Sequence, residues 1–123
     1  MPYNQPTDMS SKHVLLIAPD SDLKHSLSFA LEAEHFAVTW RASIGAPLMP
    51  GKYGCTVVDH HALGDDLPAA ERFMKAFWPV VLLANQAHVL SPLAFKTIVK
   101  PGLGAPLIEA VRGALEGAAG ATK

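Results

Sequence analysis

The chain has 123 residues, half of them hydrophobic and only 17% charged, with a formal net charge of −1. That length fits one domain with a real core, and that balance excludes a disordered chain. The near-neutral charge excludes an overall basic field for nucleic acid or an anionic membrane, and no apolar stretch approaches the length of a bilayer span.

Residues 1–11 are polar, hold two prolines and show no periodicity, so they are expected to form a tail. Val14–Ala18 is the first apolar run and the first expected strand. Asp20 or Ser21 then caps a helix whose apolar residues Leu23, Leu27, Ala30 and Leu31 share one face. Phe36–Trp40 is the second expected strand. Ile44–Lys52, with two prolines and two glycines, has room for a turn or two of helix at most. Thr56–Val58 is the third strand. A helix over Pro68–Phe77 presents Phe73, Met74 and Phe77, and Val80–Ala84 follows as the fourth strand. Gln86–Ala94, interrupted by Pro92, is expected to be irregular or a single turn. Thr97–Val99 is the fifth strand. A last helix starts near Pro106, where a missing N–H costs little, and carries Leu107, Ile108, Val111 and Leu115. Residues 117–123 are small and weakly ordering, and are expected to form a second tail, leaving 12–116 as the domain.

The strand runs are short, β-branched or aromatic, and lack polar alternation. Strands buried on both faces read this way, so the expected fold is α/β, with a doubly wound, five-stranded parallel sheet. In such folds reactions take place beyond the carboxyl ends of the strands. There the sequence puts Pro19-Asp20, Asp59-His60-His61, Asn85-Gln86 and Lys100-Pro101. The lone cysteine, Cys55, borders an apolar run and reads as a buried hydrophobe rather than a reactive thiol. With no signal peptide evident, the expected setting is reducing and cytoplasmic. His60 and His61 beside Asp59 form a run of potential metal ligands. Neighbours at a strand end point to different sides, however, which argues against one shared ion. His13, His25, His35 and His88 are expected at the surface or half-buried. Trp40, Trp78 and the phenylalanines are expected in or near the core.

Four segments carry a family resemblance. HVLLIAPDSDL (13–23) resembles the first strand and helix start of the receiver domains of two-component response regulators. YGCTVVDHHALG (53–64) resembles their third strand, WPVVLLAN (78–85) the fourth, and FKTIVKPGLGAPLIEAVRGAL (95–115) the fifth strand, its Lys-Pro pair and the last helix. The resemblance implies a flavodoxin-like strand order 2-1-3-4-5, here with shortened second and fourth helices. It puts Asp59 at the phosphoacceptor position and Lys100 at the phosphate-contacting lysine. It also implies a cis bond before Pro101. The acidic pair that holds Mg2+ in the family falls on Ala18 and Pro19, leaving Asp59, with Asp20 or Asp22 nearby, as the candidate metal ligands. The hydroxyl position falls on Ala84, and the aromatic switch position on Thr97.

A carboxylate attacking a phosphoryl group gathers negative charge, which a divalent cation and a lysine must offset. With that set depleted, the expected function is a stand-alone, atypical receiver acting through a protein partner. That partner is a histidine kinase, a phosphotransfer protein or a downstream effector, and the chain is expected as a monomer or weak homodimer. Asp59 then reads either as an acceptor or as a structural acid paired with Lys100. Two alternatives stay open: a working phosphoacceptor using Asp59, and a flavodoxin-like binder of a small ligand. No nucleophile–base pair or cofactor fingerprint points to an independent enzyme.

Overall fold

The computed structural model describes residues 13–45, 52–86, 89–99 and 105–120, the last four as backbone only. Five strands, β1 (His13–Ile17), β2 (Ala37–Arg41), β3 (Cys55–Asp59), β4 (Val80–Ala84) and β5 (Lys96–Val99), form one sheet in the order β2-β1-β3-β4-β5. Every pairing is parallel. Among the described residues three α-helices accompany them: α1 (Ser21–Ala33), α2 (Leu67–Ala76) and α3 (Ala105–Gly120). The doubly wound parallel sheet is the one expected from the sequence pattern, and its strand order is the one that the resemblance implied.

The apolar runs conceal an alternation. Val14 and Leu16 of β1, Cys55 and Val57 of β3, and Val81 and Leu83 of β4 join Leu27 and Leu31 of α1 and Leu107 and Val111 of α3 on one face. Leu15, Ile17, Val58, Val80 and Leu82 turn the other way, towards Ala70, Phe73 and Met74 of α2. A strand covered on both faces needs apolar residues at every position, and that is why these segments read as unbroken runs.

α1 and α2 each start where the sequence supplies a cap. The Asp20 carboxylate accepts from the amides of Asp22 and Leu23 at 2.8 and 3.4 Å. Asp66 accepts from Ala69 N at 3.1 Å, with Pro68 in the first turn of α2. The connection before β5 holds a single 3-10 turn, Ser91–Leu93, as its composition led us to expect. In the connection after β2, residues 46–51 lie outside the described residues, as do 1–12.

Two details depart from expectation. α3 runs on to Gly120, so 117–120 are helical rather than tail; Ala118 and Ala119 are strong helix formers and extend it. Phe29 and Phe95 are exposed, not in the core, and so is Trp78. It precedes β4, where a cis peptide bond joins it to Pro79, and it meets Phe95 edge-on with ring centroids 6.0 Å apart.

Candidate functional site at the carboxyl ends of the strands

The register brings the strand ends into one row. Ile17 lies beside Arg41 and Val58, Asp59 beside Leu83, and Ala84 beside Val99. Asp59 is thus the last residue of the central strand, and it is only 1% exposed. A buried carboxylate needs hydrogen-bond donors. The chain supplies them two residues on, where the His61 amide donates to Asp59 Oδ2 at 3.2 Å and the His61 ring Nδ1 lies 3.0 Å from the same oxygen. Asp59 so caps the 3-10 turn His60–Leu63. Ala62 and Leu63 anchor this turn in the core below it. Gly64 ends it at φ 74°, ψ −169°, a conformation essentially reserved for glycine.

Among the described residues, the positions that follow the neighbouring strands carry few side-chain oxygens that could serve as ligands. Ala18 is buried directly after β1, its N–H bonded to Arg41 O and its carbonyl accepting from Trp40 Nε1 at 2.9 Å. Pro19 follows, exposed. Asp20 is held at the surface as the cap of α1, and Asp22 sits in the first turn of that helix. Ala84 is buried at the end of β4, and Thr97 is half-buried on β5 opposite Leu82. Lys100 and Pro101, next along the chain after β5, lie outside the described residues.

Asp59 does not stand by itself. Among the described residues, Asp59, His60 and His61 form the group of three or more potential ligands whose donor atoms converge, all within 4.8 Å of one another. The His60 and His61 rings lie 4.0 Å apart, tilted by 37°. This corrects the expectation that adjacent histidines diverge. The strand ends at Asp59, and a 3-10 turn rotates successive side chains by about 120° rather than 180°. The convergence was legible only in combination: an aspartate able to cap, followed by a short run closed by a glycine. Magnesium favours oxygen ligands and anchors on one or two carboxylates. A converging set of one carboxylate and two imidazoles does not fit it.

No protein-family model matches the chain, and no curated protein matches it. Solved structures do match. The non-phosphorylated HemR receiver domain of Leptospira biflexa aligns with a TM-score of 0.68 at 23% identity, over 84% of this chain and 93% of its own. A response regulator receiver domain protein of Clostridium thermocellum gives 0.70 at 19% identity, over 85% and 94%. The receiver domain of a sensor histidine kinase from Pseudomonas aeruginosa, with a magnesium ion coordinated in its active-site cleft, gives 0.67 at 16% identity, over 85% and 98%. With strand order and overall superposition in agreement, the chain has the fold of a response regulator receiver domain.

Proposed function

We propose that the chain is an atypical receiver module in two-component signal transduction, working through protein–protein contact, with magnesium-dependent phosphorylation of Asp59 weak or absent. The observation that carries this reading is the make-up of the crevice. The Asp59 carboxylate is buried and bonded to His61, and on the family resemblance Ala18, Pro19 and Ala84 fall where receivers use two acids and a hydroxyl. Phosphoryl transfer to a carboxylate needs cationic compensation as charge builds. The side chains described around Asp59 offer one carboxylate with which to recruit magnesium. The partner in this reading is a histidine kinase, a phosphotransfer protein or a downstream effector, and partner binding selects between pre-existing conformations.

Amide NMR of the labelled chain tests the proposal, with magnesium added first and beryllofluoride, a phosphoryl mimic, second. The expected spectrum is unchanged at millimolar magnesium with beryllofluoride present. Shifts around Asp59, Ala84 and Lys100 that require both additions would show a working acceptor and overturn the reading.

A further inference from the structure

The proposed function uses His61 only as a hydrogen-bond partner of Asp59 and gives His60 no part, yet the geometry of the two imidazoles is specific. Asp59 Oδ2 and His61 Nδ1 stand 3.0 Å apart, and one donor atom from His60 lies within 4.8 Å of both partners' donors. Zinc binds imidazole nitrogen and carboxylate oxygen at about 2.0–2.2 Å, so donors around one tetrahedral ion are roughly 3.3 Å apart. The Asp59–His61 pair, 3.0 Å apart, is close to that spacing, and a bound ion would draw in the His60 donor from within 4.8 Å. The backbone beneath is fixed by buried Ala62 and Leu63. The His61 side chain, 58% exposed, gives an ion a way in from solvent.

We propose that Asp59, His60 and His61 form a three-donor site for a divalent transition-metal ion of the zinc class, leaving a coordination position open. Imidazole and carboxylate together suit zinc and its first-row neighbours, while magnesium selects against nitrogen. An ion held here takes up the carboxylate that would otherwise accept phosphate. Rival ligands among the described residues are poorly placed. Cys55 is buried with its thiol pushed up to about 12, His13 Nε2 lies 2.6 Å from the Thr39 hydroxyl, and His25 and His35 belong to no cluster of three donors. The proposal does not rest on Asp59 being a poor acceptor, because metal binding is measured without any phosphoryl group.

The test is titration of the untagged, chelator-treated full chain with Zn2+ by calorimetry, and with Co2+ by visible absorption, in millimolar magnesium. One saturable equivalent is expected, with cobalt showing the intense bands of a low-coordinate site. His61→Gln is the deciding variant, since an exposed side chain can be changed without unfolding the chain. It should weaken Zn2+ binding about tenfold or more. Asp59→Asn and His60→Gln should do the same, and His25→Gln should change nothing. Absence of a one-equivalent site, or a smaller loss in His61→Gln, would overturn the proposal. Because the beryllofluoride experiment contains no zinc and this one no beryllofluoride, either reading can fail without the other.

Discussion

Cys55 shows how position sets the chemistry of a single residue. It faces the core between β1 and β4, and desolvation pushes its thiol up from 9.0 to about 12. Above pH 9 the unfolded chain therefore sheds a proton that the folded chain keeps. The stabilising contribution is complete below pH 9 and is lost as pH rises towards 12, with a slope of about 1.4 kcal/mol per pH unit. Urea titrations between pH 8 and 10.5 should show this decline in the parent chain and a shallower one in Cys55→Ala, whose difference isolates the thiol from the lysines. Burial of Cys55 was legible from its apolar neighbours. Asp59 was legible too, as the one acid closing an apolar run. His60 and His61 were legible as potential ligands but not as converging ones, because strand alternation was applied one residue past the point where the strand stops. Lys100, assigned by resemblance to the phosphate contact, lies beyond the described end of β5 and keeps that role only as part of the proposal.

At the level of the element, the C-terminal end of α1 has a feature the sequence disguised. His35 N donates to Glu32 O at 2.9 Å and Phe36 N to Leu31 O at 3.2 Å, the bonding pattern of a Schellman cap. Such a cap needs a left-handed residue, and His35 takes it at φ 72°. Glycine normally marks this place, so its absence hid the helix end, while Asp20 announced the start of α1 plainly. The left-handed region costs a side chain about 1 kcal/mol or more. His35→Gly should therefore stabilise the chain by about 1 kcal/mol, raising the midpoint of thermal unfolding by roughly 4 °C, as calorimetry would record. The ion pair of Glu34 with Arg112 joins the same end of α1 to α3 across the surface. Being exposed, it adds little to stability.

Across the whole molecule, the sheet separates two apolar layers that depend on the same strands. Leu82 and Leu83 are adjacent in β4, both fully buried, and belong to opposite layers. Leu82→Ala and Leu83→Ala should each cost about 2–5 kcal/mol. Since both layers rest on one set of ladders, unfolding of either variant should remain a single transition, with circular dichroism and tryptophan fluorescence coinciding through a urea series. The layered, parallel plan could be read from composition of the runs alone, because only doubly covered strands are apolar at successive positions. The strand order could not. It came from the resemblance, since periodicity says which faces are buried and nothing about which strands are neighbours.

That order has a kinetic consequence. Parallel partners cannot be joined by a tight turn, so each ladder links segments separated by a complete crossover. No hairpin is available to nucleate the sheet, and long loops must close before any ladder bond rewards them. β1 waits longest, because its two neighbours are β2 and β3. As the chain leaves the ribosome, the segment His13–Ile17 emerges first of the five strands and stays unpaired on one edge until β3 has followed. For that interval the most hydrophobic strand of the N-terminal half is an exposed template, and its safe passage depends on how quickly the next forty or so residues are synthesised.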